Sequence, residues 1–534
     1  MAFILTLLLT AFFGVTSYYL WHWTFWKRRG IPGPMGFPII GKSDVMLDDR
    51  IPPGKVISDW TRRYGKVFGF TEGMQKVLVI SDPDMVHEVF VKQYDNFYGK
   101  KHNPIQGDPE KDKDVHIVGA QGFRWKRLRT ITAPAFSNNS VKKVLAMMED
   151  SAHEFLKRLE VEGARGEPVN MQMFVQGGKA LALKRPESWF SSYFQEFTMD
   201  VIQRIAMGHT ESQMFRNPLL YDVKAFFENN RWPMWMLGGA FPFAVDWLKM
   251  AFLKLGAFGA GPFVKVQKTV TRAVNERIAQ RAADAKVGVE PGEPQDFIDL
   301  FLNAKSDDVE HFQEHNDDFH KSTVYNNRQL TTSEVISQCF VFLVAGMDTT
   351  AISLCFTAYL ASLNPEVQRR MQEEVDRECP DPEITFDQLA RLKYIENTIK
   401  EALRIFPLAS FANARRCMRT TKLGDYTVEA GVDVLVDTWT LHHDTKVWGE
   451  DAGEFKPERW EQPTCPAQSF LSFGAGPRQC LGMRLAFLEQ KILLAHVLRK
   501  YSFETNRQTE IPMKLVGRAT ARPASLMLSV KSRF

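Results

Sequence analysis

A glycine-rich segment with one cysteine, Phe473–Gly482, has the residue types and spacing of a ligand-binding loop. Its glycines and Pro477 predict a tight bend that lets the backbone approach a flat ligand closely. Cys480 precedes a predicted apolar helix, Leu485–Val497, whose N-terminal dipole and N–H groups favour a thiolate and can tune its basicity. Arg478 is placed to pair with an acidic group on the same ligand.

The alternative role for any single cysteine is that of a small buried hydrophobe, which is the usual case for a free cysteine. The chain has no CxxC pair, so it predicts neither a zinc ribbon nor a disulfide scaffold, and a reduced, cytosol-facing protein is expected. We apply the buried-hydrophobe interpretation to the five remaining cysteines, which are Cys339, Cys355, Cys379, Cys417 and Cys465.

The pattern F-x-x-G-x-R-x-C-x-G over Phe473–Gly482 resembles the haem-binding loop of the cytochrome P-450 family, the haem-thiolate monooxygenases. Five fixed positions would match by chance in only ~10⁻⁴ of chains this long. In that family the cysteine thiolate is the proximal ligand of haem iron, and its electron donation favours O–O cleavage. The resemblance implies haem b (iron protoporphyrin IX) as cofactor, Cys480 as the iron ligand, and Phe473 and Arg478 as haem-binding residues.

A second segment, Ala345–Thr350, is similar to the oxygen-binding signature of the same family. The small residues Ala345 and Gly346 leave room for a flat ring and a diatomic molecule against the helix. The Thr349 hydroxyl can hydrogen-bond dioxygen or a water, and Asp348 can help to relay protons, so both are expected to be catalytic. The alternative for Thr349 is a hydroxyl bonded to the backbone carbonyl one turn earlier.

Glu401 and Arg404 lie three residues apart on a predicted helix, which by itself indicates only an ion pair on one face. In the family, this pair joins an arginine of a later loop in a buried triad, and Arg459 is the matching residue. Trp460 follows it where the family often has Phe. The resemblance implies that the triad holds the loop leading to the haem site.

Trp125 and Arg129 lie four residues apart and so share one helical face. In the family these two positions bind a haem propionate, and Arg415 is a further candidate for that role. The other charges of the first segment are expected either to attract an acidic electron donor or to form a solvated basic face. They are Arg124, Lys126 and Arg127.

The helix that holds the second signature is predicted from strong boundary signals. Thr331 and Glu334 form a capping-box pattern, and Asn364-Pro365 ends the helix. Val335–Leu363 is apolar almost all round, which predicts a helix buried in the core. A membrane span is the alternative, but the polar residues within the run and the translocation of the remaining chain argue against it.

Three other segments are predicted from their sequence patterns without an assigned catalytic role. Lys66–Phe70 and Lys76–Ile80 predict a hairpin. Trp232–Phe263 is rich in aromatic residues and predicts either a surface that meets a membrane or guards a channel, or a plain core loop. Ser306–Gln329 predicts an exposed loop rather than a metal site, because its histidines lack regular ligand spacing. Those histidines are His311, His315 and His320.

The first 26 residues contain no charged side chain and predict a transmembrane anchor. Tyrosines and tryptophans crowd its far end, and Lys27–Arg29 follows directly. Basic residues stay on the cytoplasmic side, so we expect a single pass in the endoplasmic reticulum membrane with a luminal N-terminus and a cytosolic catalytic domain. A cleaved signal peptide is the alternative, but the run is too long and lacks a cleavage site.

The chain of 534 residues divides by these signals into an anchor at 1–26, a basic and proline-rich linker at 27–45, and a haem-thiolate catalytic domain at 46–534. Hydrophobic residues make up 44%, enough for a large core, and a net charge of +4 is too small to indicate a nucleic-acid partner. The resemblance implies a mainly α fold: the cytochrome P-450 fold, a helical body around haem with small β-sheets, plus one N-terminal transmembrane helix.

The resemblance implies a monooxygenase that inserts one atom of dioxygen into a small apolar substrate, such as a xenobiotic, a steroid or a fatty acid. Electrons would come from NADPH through a separate flavoprotein reductase, with cytochrome b5 as a second candidate donor. Within the family the chain is most similar to the microsomal drug- and steroid-oxidising group and its nematode relatives. Phe174–Ser192 departs from their pattern and is interpreted either as an insertion or as an error in how the gene was read.

Two rival functions remain open. A haem-thiolate isomerase or dehydratase would rearrange peroxides without a reductase, although the Asp348-Thr349 pair argues against it. A non-enzymatic haem- or lipid-binding protein would show a ligand-binding spectrum without product.

Overall fold

A computed structural model describes the chain except for a few short stretches and two longer ones. The described residues are 2–101, 103, 109–112, 114–164, 168–173, 192–228, 232–255, 261–290, 292–304, 330–462 and 465–534. The segments predicted at Phe174–Ser192, apart from Ser192, and at Ser306–Gln329 lie outside the described residues, as do His311, His315 and His320.

The described part is mainly helical, as predicted. Its helices before residue 300 are α1 (Ala2–Trp23), α2 (Phe25–Arg28), α3 (Ser43–Met46), α4 (Pro53–Tyr64), α5 (Pro83–His87), α6 (Gly122–Thr132), α7 (Asn138–Lys143), α8 (Leu145–Ala164), α9 (Tyr193–Met207), α10 (Pro218–Glu228), α11 (Trp232–Ala240), α12 (Val245–Leu255), α13 (Gly261–Lys286) and α14 (Phe297–Asn303). Later helices are α15 (Thr332–Leu363), α16 (Pro365–Glu378), α17 (Phe386–Arg391), α18 (Lys393–Ile405), α19 (Thr438–His442), α20 (Thr445–Trp448) and α21 (Met483–Lys500).

The strands form small sheets of two to four strands. They are β1 (Val67–Glu72), β2 (Gln75–Ile80), β3 (Val169–Met173), β4 (Ala414–Arg416), β5 (Thr421–Leu423), β6 (Tyr426–Val428), β7 (Asp433–Val436), β8 (Tyr501–Glu504), β9 (Leu515–Val516), β10 (Arg522–Pro523) and β11 (Ser525–Ser532). The largest sheet has the order β1-β2-β7-β4, with β2 and β7 parallel and the other pairs antiparallel. The predicted hairpin is β1-β2, with Val67 opposite Ile80.

Helix α15 is the central element of the core. Its first turn has the predicted capping box, in which Thr331 accepts from the Glu334 N–H and the Glu334 side chain accepts from the Thr331 N–H. The most apolar stretch of α15 is 72% buried inside the protein, which supports the prediction of a core helix over that of a membrane span. Helices α9, α13 and α18 pack against it.

The N-terminal helix α1 projects from the body, and its most apolar stretch is entirely unburied. It ends at Trp23, three residues before the predicted anchor boundary at residue 26. Trp26 is buried in the body, where its indole N–H donates to the Phe70 carbonyl at 2.8 Å. The predicted linker also packs against β1, because the Gly69 N–H donates to the Pro32 carbonyl at 2.8 Å.

The predicted triad forms between α18 and the loop that follows α20. Glu401 and Arg404 are fully buried, with two hydrogen bonds of 2.8 and 2.9 Å between them, and Arg459 approaches Glu401 at 3.3 Å. The Trp460 indole N–H donates to the same carboxylate at 2.9 Å, which a phenylalanine there could not do. This carboxylate is therefore satisfied from three sides.

The triad connects to the cysteine loop through His442. Arg404 donates to the His442 carbonyl at 2.7 Å, and the His442 imidazole accepts from the Leu471 N–H at 2.9 Å. Burial lowers the pKa of His442 to about 3, so the imidazole stays neutral and can accept this bond. Leu471 lies two residues before Phe473, where the loop begins.

Replacing Trp460 with Phe removes one hydrogen bond to a buried carboxylate. We expect Trp460→Phe to destabilise the protein by about 2 kcal/mol, the cost typical of a bond to a charged group. Thermal unfolding of the purified protein measures the change. Trp247→Phe is the matched control, because Trp247 is 73% exposed. Equal unfolding temperatures for the two variants would contradict a role for the Trp460–Glu401 bond.

Candidate functional site

The cysteine loop is closed by a backbone hydrogen bond, in which the Cys480 N–H donates to the Phe473 carbonyl at 2.9 Å. Gly476 has a φ of +67°, and a Cβ there would lie 2.0 Å from the Phe90 carbonyl oxygen. Only glycine fits this bend, as the sequence predicts. Cys480 is exposed, whereas four other cysteines are buried and Cys465 is half-buried. The buried-hydrophobe alternative therefore does not describe Cys480.

The surroundings of the Cys480 sulfur suit an iron ligand. Cys480 is exposed to solvent. The surrounding protein nevertheless partly desolvates its thiol, which raises the pKa of that thiol. The Gly482 N–H, the Arg129 charge and the Met483 N–H act in the opposite direction, toward the thiolate. N–H groups directed at a ligand sulfur tune its basicity, which is the arrangement predicted from the sequence.

Three predicted arginines converge beside this loop. The Arg129 guanidinium, on α6, donates to the Gln479 carbonyl at 2.7 Å. The Arg478 guanidinium lies 4.6 Å from the centre of the Trp125 ring. Arg415, on β4, is buried, and its Nη2 lies 3.4 Å from the Ala475 carbonyl oxygen. The structure thus brings together Trp125, Arg129, Arg415 and Arg478 from three distant segments.

These arginines have no acidic partner among the described residues. None forms an ion pair there, and the Nε atoms of Arg415 and Arg478 are buried without a hydrogen-bond acceptor. Burial and the nearby Arg478 charge lower the pKa of Arg415 to about 9, and burial lowers that of Arg478 to about 10. Cations withdrawn from water are stabilised by anions, so the cluster fits the two propionates of haem b.

One further cation near this cluster has no motif in the sequence. Burial, and then the charges of Arg415 and Arg478, lower the pKa of Lys100 well below its usual value. Its ammonium donates to the Ala412 carbonyl. Lys100 follows a turn of irregular backbone and belongs to no periodic element, so neither spacing nor amphipathicity marks it as part of the site.

Three of the predicted residues form an accessible patch in the middle of α15. Ala345 is exposed, and Gly346 and Thr349 are half-buried, on a helix whose neighbouring residues are buried. The space at Gly346 is also needed for helix packing, because a Cβ there would lie 2.7 Å from the Ile202 side chain. The Thr349 hydroxyl donates to the Ala345 carbonyl at 2.7 Å, which is the bond that the alternative interpretation describes.

Asp348 is fully buried on the other side of the same turn. Its carboxylate accepts from the Gln195 amide at 3.1 Å and from the Thr520 hydroxyl at 3.0 Å, and the Arg522 guanidinium lies 3.7 Å away. Sequence analysis did not identify these three partners. They lie far from Asp348 along the chain and share no spacing with it.

Two of the three charges in the basic segment before Arg129 are engaged within the protein. Arg124 and Arg127 are partly buried and pair with Glu334, the residue that also caps α15. These two arginines therefore hold α6 against the start of α15. The solvated-face interpretation therefore does not describe these two arginines, and Lys126 lies beside them on α6.

An exposed thiol beside a cluster of arginines without acidic partners among the described residues, within a helical body, is the arrangement expected of a haem-thiolate protein. A model of the family described as Cytochrome P450 matches residues 31–529, and the chain belongs to that family. The protein is accordingly a haem monooxygenase, an oxidoreductase with haem iron as cofactor.

Similar proteins of Caenorhabditis elegans match over nearly the whole chain. The cytochrome P450 named CYP13A8 is 65% identical over 519 residues, which cover 97% of this chain and 98% of that relative. CYP13A10 is 53% identical over 538 residues, which cover 100% of both chains. CYP13A1 is 53% identical over 527 residues, which cover 98% of both chains. The predicted similarity to nematode proteins of this family is confirmed.

Arg415 and Arg416 provide a matched pair of variants to test the propionate assignment. Arg415→Gln removes a buried cation, and we expect haem affinity to fall roughly 10- to 100-fold, the loss of one hydrogen bond to a charged group. Arg416→Gln, at the half-buried neighbouring position, is expected to leave haem affinity unchanged. Haem transfer to an apoprotein acceptor measures both values. Equal haem retention by the two variants would refute the assignment.

Proposed function

We propose that this protein inserts one atom of dioxygen into a C–H bond of a small apolar substrate, such as a xenobiotic, a steroid or a fatty acid. NADPH supplies the electrons through a separate flavoprotein reductase, with cytochrome b5 as a second donor. The observation that carries this proposal is the accessible Cys480 thiol beside three arginines, of which Arg415 is buried and the other two half-buried, with no acidic partner among the described residues.

The residues present fit haem. Cys480 would bind its iron, and Arg129, Arg415 and Arg478 would hold its propionates, with Trp125 packed against Arg478. Haem, when bound, supplies the activation of dioxygen. The Gly482 and Met483 N–H groups stabilise the negative charge on the Cys480 sulfur.

The residues that would deliver protons lie on α15. The Thr349 hydroxyl proton is engaged by the Ala345 carbonyl, which leaves the Thr349 oxygen free to accept a hydrogen bond from a water at the accessible face of the helix. Asp348 is fixed by Gln195 and Thr520 and supplies a carboxylate one residue away. We infer that Thr349 positions a water at the site and that Asp348 and its partners supply protons to it.

Thr349 and Thr357 allow a matched test, because each hydroxyl donates to the carbonyl four residues earlier, at 2.7 and 2.9 Å respectively. Only Thr349 lies on the accessible face; Thr357 is buried. We expect Thr349→Ala to lower the product formed per NADPH consumed by roughly 10²-fold, the lower end of the range for general acid–base catalysis. Thr357→Ala should keep the wild-type ratio. Equal coupling ratios would refute a catalytic role for Thr349.

The rival functions are separated by the need for NADPH. A haem-thiolate isomerase or dehydratase would turn over peroxides without a reductase, and a binding protein would form no product. The polar network around Asp348 favours the monooxygenase, because rearranging a peroxide does not require protons to be delivered to dioxygen.

A groove of about 530 Å³ borders the cysteine loop and suits docking of a reductase. It is lined by Phe473 and Gln479 of the loop, by the cations Lys393 and Arg484, and by Lys400, which pairs with Glu396 of the same groove. Basic groups here would attract an acidic flavoprotein, and the loop would place it close to Cys480.

We further propose that the protein lies in the endoplasmic reticulum membrane with a luminal N-terminus and a cytosolic body. The Tyr19 hydroxyl near the end of α1 donates to the Ala240 carbonyl at 2.9 Å, so the anchor meets α11. Beyond it, Phe243 and Trp247 are 81% and 73% exposed. Their aromatic side chains continue the apolar surface of α1, which supports a second contact with the bilayer in the segment predicted at Trp232–Phe263.

Spin labels on the full-length protein in lipid nanodiscs test this second contact. A nitroxide introduced through Trp247→Cys should be accessible to oxygen and shielded from a water-soluble nickel chelate. A nitroxide at Val287→Cys should show the reverse pattern; Val287 is 76% exposed and follows the C-terminal end of α13, a helix roughly 39 Å long. A label at Trp247→Cys that is fully accessible to the chelate would contradict the contact.

A further inference from the structure

Three metal-binding side chains lie together on α8 and α21, away from the cysteine loop. Glu149 and His153 are four residues apart on α8 and share one face of that helix. His496 faces them from α21, and the ligand atoms of all three residues lie within 4.8 Å of one another. Glu149 Oε2 is 2.5 Å from His496 Nε2, and the two imidazole ring centres are 4.9 Å apart.

The carboxylate is oriented by a further contact. Glu149 Oε1 accepts from the Ile384 backbone N–H at 2.7 Å, which directs the other oxygen toward His496. Metal-binding carboxylates are commonly held in this way by a hydrogen bond to their second oxygen. Glu149 and His496 are buried, whereas His153 is half-buried and provides access from solvent.

We propose that Glu149, His153 and His496 bind one zinc ion, with water as the fourth ligand, and that this ion ties α8 to α21. Two imidazoles and one carboxylate with an open position form a ligand set that zinc favours. Zinc–ligand distances of about 2.0–2.1 Å place tetrahedral ligand atoms roughly 3.3 Å apart. Zinc binding would therefore separate the Glu149 and His496 ligand atoms from their present 2.5 Å, within a cluster whose ligand atoms all lie within 4.8 Å of one another.

A purely structural hydrogen bond would account for Glu149 and His496 but not for His153. Within the described residues, His153 contacts the His496 ring and makes no hydrogen bond. The zinc site gives all three side chains a role. Because α21 begins at Met483, three residues after Cys480, the ion would also secure the helix that follows the thiolate loop.

Zinc binding by the full-length holoprotein tests the proposal. The protein is freed of its affinity tag, treated with a chelator and titrated with zinc chloride in competition with a fluorescent zinc indicator. We expect one zinc per chain with a dissociation constant on the order of 1 µM or below. His153→Gln should weaken zinc binding at least ~10-fold, because even the loss of an outer-shell hydrogen-bond partner of a metal ligand costs that much. Glu154→Gln, one residue along α8 and partly exposed, should bind zinc like the wild type.

Two further measurements test the zinc site even if a variant folds poorly. X-ray absorption at the zinc edge of the wild-type protein should show two imidazoles at about 2.0–2.1 Å, and the haem iron does not interfere at that edge. Zinc should raise the thermal unfolding temperature of the wild type but not of His153→Gln. Absence of stoichiometric zinc, a shell without two imidazoles, or equal affinity in wild type and His153→Gln would each overturn the proposal.

Discussion

Positive charge gathered at a largely enclosed position beside the cysteine loop dominates the site of this molecule. Arg129, Arg415 and Arg478 are brought together, and burial first and the neighbouring positive charges second lower the pKa values of Arg415 and Arg478. The described residues offer no carboxylate to offset this cost of desolvation. Bound propionates remove this cost, so haem binding and folding of this region are expected to be coupled.

The scaffold holds these charges through a few buried polar contacts. The Glu401 carboxylate accepts hydrogen bonds from Arg404, Arg459 and Trp460. Arg404 and His442 connect this cluster by hydrogen bonds to Leu471, just before the cysteine loop. On the other side, α15 is capped by Glu334, which also binds Arg124 and Arg127 of α6. Glu334 thus joins α15, which carries Thr349, to α6, which carries Arg129. Loss of any single contact would disturb the placement of several site residues at once.

Local patterns in the sequence predicted the parts of this structure that depend on local chemistry. The glycine bend before Cys480, the capping box of α15 and the β1-β2 hairpin follow from residue types within a few positions of one another. The family resemblance added Trp125, Arg129 and Arg415, which no spacing connects to Cys480.

What the sequence did not predict arises from contacts between distant segments. Asp348 meets Gln195 and Thr520, which are 153 and 172 residues away along the chain. Trp26 was assigned to the anchor by its apolar character, yet Gly69 leaves room for its ring within the body. Arg124 and Arg127 could be recognised as basic, but their partner Glu334 lies more than 200 residues away. Periodicity and composition have no means to identify such pairs.

The carbon monoxide difference spectrum of the purified, reduced protein tests the central claim most directly. A strongly red-shifted Soret band in the wild type, lost in Cys480→His, is the result expected if the Cys480 thiolate binds haem iron. Haem bound without that shift in the wild type, or a shift that persists in Cys480→His, would contradict it.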